Sequence, residues 1–161
     1  MYTFCHDTPL GTIRASADDH KLQGLWFTGQ KYFPKDVEIW TEMPDYPCFV
    51  SLASWLGDYF SGKKPDGKLA ILPKGTVFQQ AVWKILLKIP YGKTTTYGDI
   101  AKKLNAEGIK ASAKAVGGAV GRNPISLVIP CHRVVGSDGS LTGYAGGIEK
   151  KLALLELEGA I

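Results

Sequence analysis

Thr96-Tyr97-Gly98-Asp99-Ile100-Ala101-Lys102-Lys103-Leu104-Asn105-Ala106-Glu107-Gly108-Ile109-Lys110-Ala111-Ser112-Ala113-Lys114-Ala115-Val116-Gly117-Gly118-Ala119-Val120-Gly121-Arg122 contains two helix starts a short loop apart. Thr96 can cap a helix carrying Ile100, Ala101 and Leu104, and Ser112 can cap a second over residues 113–120. Two short helices joined by a compact loop predict a helix-turn-helix whose second member is the recognition helix. That second helix is almost bare: Ala113, Ala115, Gly117, Gly118, Ala119 and Gly121 dominate it. A glycine inside a helix costs about 1 kcal/mol relative to alanine, so something must offset several of them. Two readings stay open at this point: a smooth surface that lets a nucleic acid approach, or tight packing against another helix.

Upstream, Thr76 and Gln79 fit a capping box. Phe78, Val82, Ile85, Leu86 and Ile89 follow as an apolar face, Pro90 ends it, and Pro90-Tyr91-Gly92-Lys93 reads as a turn. Downstream, Ile148, Leu152 and Leu155 mark a terminal amphipathic helix. Further toward the N-terminus the pattern changes. Residues 12–16 and 22–27 are β-rich runs around a hairpin turn at Asp18-Asp19-His20. Phe49, Leu52, Leu56, Tyr59 and Phe60 recur at helical spacing, with Gly62 as a stop. A loop over 62–67 and an apolar run over 69–72 lead to Pro73-Lys74-Gly75, where a domain boundary is expected. The expected class is α+β. A small α/β unit with an antiparallel sheet spans 1–73, and a mostly helical unit with a winged-helix-like helix-turn-helix spans 74–161.

The 161 residues are 45% hydrophobic and 21% charged, ordinary for a globular chain. No apolar run approaches the roughly 20 residues of a membrane helix. Met1-Tyr2-Thr3-Phe4-Cys5-His6 lacks the pattern of a signal peptide, which makes the cytoplasm the expected location. Three cysteines (Cys5, Cys48, Cys131) and three histidines (His6, His20, His132) give neither a disulfide framework nor a zinc tetrad, so no metal is expected. The net charge of +4 is unevenly spread: residues 1–73 carry seven Lys/Arg against nine Asp/Glu, residues 74–161 twelve against six. The second half is therefore the one expected to meet a polyanion.

Leu127-Val128-Ile129-Pro130 is an apolar run expected to be buried and extended, delivering Cys131-His132-Arg133 at its end. Basic neighbours lower a thiol pKa, so Cys131 is a candidate nucleophile. Adjacent residues of an extended chain face opposite ways. A direct Cys131–His132 ion pair is therefore not expected, and His132 would act as a base through a water or a local turn.

Ile129-Pro130-Cys131-His132-Arg133-Val134 resembles the active-site signature of the O6-alkylguanine-DNA alkyltransferases. The similarity runs from about Gly75 to Gly159 through Pro90-Tyr91-Gly92, Thr96-Tyr97-Gly98, Ala115-Val116-Gly117-Gly118-Ala119, Gly121-Arg122-Asn123-Pro124 and Gly143-Tyr144-Ala145-Gly146-Gly147. The resemblance implies direct-reversal DNA repair, with Cys131 as an alkyl acceptor used once. His132 and Glu158 correspond to a water-bridged proton relay. Tyr97 corresponds to a residue that helps flip the nucleotide and protonate the purine, and Asn123 to a hinge. Val134, Tyr144, Ala145, Gly146 and Val120 would surround the base. Ser112, Lys114, Ala115, Gly117, Gly118, Arg122 and Tyr97 would meet DNA, in the minor groove. The implied partner is double-stranded DNA carrying O6-alkylguanine; whether O4-alkylthymine is also accepted stays open at this point. No cofactor, membrane or obligate protein partner is implied, and a monomer is expected. Lys114 stands where many relatives have arginine; it keeps the charge without the planar surface. A Cys-His-Glu hydrolase is the enzymatic alternative. A non-catalytic helix-turn-helix damage-sensing or regulatory protein is the other, and the retained Cys131 argues against it.

Overall fold

The computed structural model describes residues 1–161. Strand β1 (Tyr2–Thr8) pairs antiparallel with β2 (Gly11–Asp18), and β2 with β3 (Lys21–Phe27). A two-residue strand β4 (Thr41–Glu42) adds parallel to β1, giving the order β3-β2-β1-β4. The sheet is therefore antiparallel except at this short edge. Asp19 and His20 both take positive φ (51° and 58°), the conformation that joins antiparallel strands through two residues with the correct twist. Strand β1 carries no clear apolar alternation: Thr3 and Phe4 are buried side by side, and from Cys5 onward the strand is only half-buried or exposed.

Helix α1 (Pro47–Phe60) starts on a proline at its first position and stops before Gly62, which has φ +88°. Its buried residues Phe49, Leu52, Leu56 and Tyr59 cover the sheet, with Phe49 stacked on Phe4 at 4.7 Å. The apolar run at 69–72 crosses back to β3, where Leu22 bonds to Ala70 and Leu72.

In the second half, α2 (Val77–Leu86) carries the expected capping box of Thr76 and Gln79. Ile89 is buried but lies past the helix end. Helix α3 (Tyr97–Ala106) and α4 (Ala113–Gly121) begin at Thr96 and Ser112, each side chain accepting the backbone N–H three residues on. They pack together and against α2, where Trp83 Nε1 donates to the Ala119 carbonyl at 2.9 Å. This is the helix-turn-helix. Helix α5 (Ile148–Leu157) closes the chain.

Two expectations fail. Residues 127–130 are buried apart from the half-buried Val128, but they are not extended: Leu127 has φ +71°, and Val128 and Cys131 each donate to a carbonyl only two residues back. The chain needs these tight bends because Asn123 holds both sides of the segment. Its side-chain oxygen accepts from Ile125 N at 3.0 Å and its amide donates to Ile129 O at 2.7 Å. The inward face of α5 is also not the one expected. Ile148 and Leu152 are exposed, whereas Lys151, Leu154, Leu155 and Glu158 are buried. These four follow helical spacing, but the row has a charge at each end.

The active-site segment is supported from both units. Leu25 of β3 donates to Pro124 O at 2.8 Å and accepts from Ser126 N at 3.0 Å. Strand β5 (Thr95–Thr96) pairs parallel with β6 (Val134–Val135), lashing the start of the helix-turn-helix to the residues after Cys131. One hydrophobic cluster runs through both units, from Phe4 and Phe49 to Cys131 and Leu154.

The bare surface of α4 is not explained by packing within the chain. Val116, Ala119 and Val120 face inward. A Cβ built on Gly118 or Gly121 would meet nothing within 4 Å, and one on Gly117 only the Tyr97 ring at ordinary contact distance. The glycines therefore leave room for something outside the protein. Gly118→Ala should raise folding stability by up to about 1 kcal/mol in a denaturant melt while weakening duplex binding in a fluorescence-anisotropy titration. Unchanged DNA affinity would show that the bare face is not a contact surface.

Candidate active site

Cys131, His132 and Arg133 form one 3-10 turn after Pro130, not the end of a strand. The turn sends the three side chains to different neighbours. Cys131 is 6% exposed and His132 is fully enclosed. His132 Nε2 lies 2.6 Å from Glu158 Oε2, which α5 delivers from its C-terminal cap. Arg133 does not face the thiol. Its guanidinium grips Glu158 with two bonds, Nε to Oε1 at 2.8 Å and Nη2 to Oε2 at 3.1 Å, and gives a third to Ile89 O.

Two more donors reach the same carboxylate. Tyr59 of α1 donates from its hydroxyl to Oε2 at 2.6 Å, and Gly92 donates its backbone N–H to Oε1 at 3.1 Å. Gly92 has φ +78°, and a Cβ there would sit 3.1 Å from the Glu158 carbonyl. Pro90-Tyr91-Gly92 is thus a turn shaped to present one N–H to Glu158. Burial pushes the Glu158 pKa up, but the bonds from His132, Arg133 and Tyr59 together outweigh it and hold the carboxyl at about 2. Glu158 is ionised throughout the neutral range.

His132 goes the other way. Burial lowers its pKa, and the pull of Glu158 only partly restores it, so the resting imidazole is neutral. An ionised carboxylate at 2.6 Å can only accept, which places the single ring proton on Nε2. Nδ1 is then a bare lone pair, buried and without a protein partner. A neutral imidazole held by a carboxylate on one nitrogen and open on the other is the arrangement of a general base.

The thiol departs from expectation. Burial pushes the Cys131 pKa up, and the Asn123 amide and the Lys151 ammonium pull it back only in part. The predicted lowering by His132 and Arg133 does not occur, because His132 is neutral and Arg133 is occupied by Glu158. Lys151 is fully buried in α5 and donates to Thr142 O at 2.9 Å, and burial lowers its own pKa to about 8.

A cavity of about 400 Å³ opens over α4. Tyr97, Gly117, Gly118, Val120, Tyr144 and Ala145, all named in the sequence analysis, are among its lining residues, and Lys31 and Tyr32 of the N-terminal unit join them. Tyr97 donates from its hydroxyl to Thr142 O at 3.0 Å, so the recognition unit and the loop 142–147 close on each other. Gly146 is not on the wall; a Cβ there would meet the rings of Tyr144 and Phe27 at 2.9 and 3.1 Å, so its smallness lets both rings pack against the backbone. Cys131 is not a wall residue either, but it lies near enough to Tyr97 and Tyr144, which are, that its thiolate, once formed, would act on both. Val134 is buried in β6 beside Thr95. Of the candidate DNA contacts, Ser112, Lys114, Ala115 and Arg122 are exposed on α4 and its ends. Arg122 lies 4.0 Å over the Tyr32 ring, which ties the end of the recognition helix to the N-terminal unit.

Tyr59, Gly92, Lys151, Lys31 and Tyr32 were not singled out as site residues from the sequence. Only Gly92 carried a signal, within its turn motif. No cluster of three or more His, Cys, Asp or Glu side chains is arranged to hold a metal.

A buried thiol, a neutral imidazole fixed by a carboxylate and a cavity walled by a helix-turn-helix place a cysteine nucleophile and its base beside a nucleic-acid-binding element. Residues 77–160 match the model of the 6-O-methylguanine DNA methyltransferase DNA-binding domain, and residues 1–73 that of the same family's ribonuclease-like domain. The chain is 45% identical over 152 residues to the methylated-DNA–protein-cysteine methyltransferase of Mycobacterium tuberculosis, covering 94% of this chain and 88% of that protein. The counterpart from Methanosarcina acetivorans is 39% identical over 160 residues, 99% of each chain. The crystal structure of Mycobacterium tuberculosis OGT in complex with DNA superposes with a TM-score of 0.88 at 40% identity, covering 99% of this chain and 94% of that one. The chain belongs to the 6-O-methylguanine DNA methyltransferase family.

Lys114 is a cation in the first turn of α4, where the helix dipole disfavours positive charge, and no acidic side chain there offsets it. Lys114→Ala should slow repair of a duplex O6-methylguanine oligonucleotide more than reaction with free O6-benzylguanine, and Lys114→Arg should repair duplex at least as fast as the parent. Equal slowing on both substrates by the alanine variant would place Lys114 in the fold or the pocket instead.

Proposed function

We propose that this direct-reversal DNA repair methyltransferase takes the alkyl group of O6-alkylguanine onto Cys131, once per chain. The observation that carries the reading is the unpartnered Nδ1 of a neutral, fully buried His132, one residue from a buried thiol and fixed on its far side by Glu158.

The chemistry is displacement at a saturated carbon. Cys131 Sγ forms a bond to the alkyl carbon, the bond from that carbon to O6 breaks, and its electron pair stays with the purine. The thiol proton leaves through His132 Nδ1, by way of one bridging water, and one proton reaches the purine, so guanine is restored and a thioether remains. Glu158 stabilises the imidazolium as it forms. Tyr97, once released from Thr142, is placed to donate toward the purine. A thioether has no easy hydrolytic exit, which makes the protein a stoichiometric reagent.

Reaching the thiol requires the damaged nucleotide to leave the stack, at a cost of a few kcal/mol. The small-residue face of α4 lets the helix lie close in the minor groove. The cavity beside it is within the roughly 300–1,000 Å³ of small-molecule sites. Asn123, bonded to both ends of the bend after α4, acts as the hinge that keeps helix and nucleophile in register. The protein works as a monomer on double-stranded DNA, in the cytoplasm, with no cofactor.

With excess O6-methylguanine oligonucleotide, intact mass should rise by one methylene unit per chain, mapped to Cys131 alone. The alkylated form should melt lower, since overpacking a tight site costs about 1–3 kcal/mol. Cys131→Ala should keep DNA binding and lose transfer. Repair of many lesions per chain, or the alkyl group on Cys5 or Cys48, would overturn the assignment.

A further inference from the structure

Of the four residues that bond the Glu158 carboxylate, three come from the C-terminal unit: Gly92, His132 and Arg133. The fourth, Tyr59, belongs to α1 of the N-terminal unit. We propose that Tyr59 is a positioning residue for alkyl transfer: its hydroxyl fixes the Glu158 carboxylate and sets how strongly that carboxylate draws the proton of His132. The proposal rests on the His132–Glu158 relay described above.

Tyr59 donates to Oε2, the same oxygen that holds His132. At 2.6 Å to a charged acceptor this is a strong, charge-assisted bond. A second donor on that oxygen takes up part of its negative charge and weakens its pull on the imidazole, and the effect is larger between buried groups than in water. The Tyr59 hydroxyl is also 3.5 Å from His132 Nε2, too long to compete with the carboxylate.

The ring is held so that the hydroxyl has one direction. Tyr59 is 0% exposed, stacks on Trp55 at 5.4 Å and 4°, and meets the edge of Tyr91 at 6.2 Å. A tyrosine that merely satisfied its hydroxyl in a core would need only a carbonyl. Here it reaches across the unit boundary to an ionised carboxylate that already has Arg133 and Gly92.

The charged and titratable groups around the pair are few. Arg133 neutralises Glu158 from the 3-10 turn, and Tyr91 lies beside it on the turn after α2. Lys151 of α5 acts on His132 from a distance, and Tyr144 of the 142–147 loop acts on Tyr59. None of these supplies a neutral donor to Oε2. Tyr59 is the group whose removal changes the charge on that oxygen without removing a charge from the site.

The sign follows. Without the Tyr59 hydroxyl, Glu158 Oε2 draws the imidazole proton more strongly and His132 becomes more basic. His132 must be neutral to accept the thiol proton, so the acid limb of the rate profile moves to higher pH. Two variants test this in the full chain. Tyr59→Phe keeps the ring stacking and removes the donor. Site-specific 3-fluorotyrosine at position 59 keeps the shape and makes a stronger donor. Reaction with free O6-benzylguanine, which needs no base flipping, is followed against pH, and the His132 imidazole is titrated by NMR. The phenylalanine variant should move the acid limb and the His132 pKa up by about half a unit, and the fluorotyrosine variant should move both down. Both values unmoved, whatever happens to the melting temperature, would overturn the proposal. Glu158→Gln separates the two ideas. If it erases the acid limb while the Tyr59 variants leave it in place, only the role of Tyr59 falls. If it leaves rate and profile intact, the relay falls and the role of Tyr59 with it.

Discussion

The site depends on one carboxylate. Glu158 is buried at the end of α5, and a buried carboxylate is costly unless its lone pairs are satisfied and its charge is matched. Five donor groups from four residues meet that need. They come from three parts of the chain: α1, the turn after α2, and the adjacent pair His132-Arg133. Satisfying Glu158 therefore requires the N-terminal unit, the turn at Pro90, the nucleophile segment and the last helix to be assembled together. The same assembly orients His132.

Two further constraints place the chemistry beside DNA. The segment between α4 and Cys131 is folded on itself around Asn123 and bonded along β3, so a recognition helix and a buried thiol are held a few residues apart without an intervening strand. Lys151 secures the carbonyls of Thr142 and Gly143, which keeps the 142–147 loop over the cavity. Burial at Cys131 keeps the thiol protonated at rest, so the reactive form arises when a substrate and the relay act together.

Much of this was legible in the sequence. The caps at Thr76, Thr96 and Ser112, the hairpin at Asp19-His20 and the stop at Gly62 are local signals, and local signals survive folding. The nucleophile motif carried a family resemblance, and it was that resemblance, not a local signal, that pointed to the cavity-lining residues at 97, 117, 118, 120, 144 and 145. What failed depended on tertiary context. The inner face of α5 was misread because two of its buried residues, Lys151 and Glu158, are charged, and an apolar periodicity selects Ile148 and Leu152 in their place. Residues 127–130 were read as extended because an apolar run says nothing of the side-chain amide that bends it. The thiol was expected to be acidified by its basic neighbours, but Arg133 is spent on a carboxylate 25 residues away in sequence. Nothing in the sequence marked Tyr59 as a partner of Glu158, since a tyrosine on the apolar face of a helix reads as core.

The account turns on the resting state of Cys131, and the most direct measurement is the ultraviolet absorbance of its thiolate against pH, taken as the difference between the parent chain and Cys131→Ala. Burial with a neutral His132 predicts no thiolate at neutral pH and a titration above the unperturbed thiol value of about 8.5. A substantial thiolate signal at neutral pH in the DNA-free protein would contradict it, and would mean that Cys131 rests as an ion pair with a protonated His132.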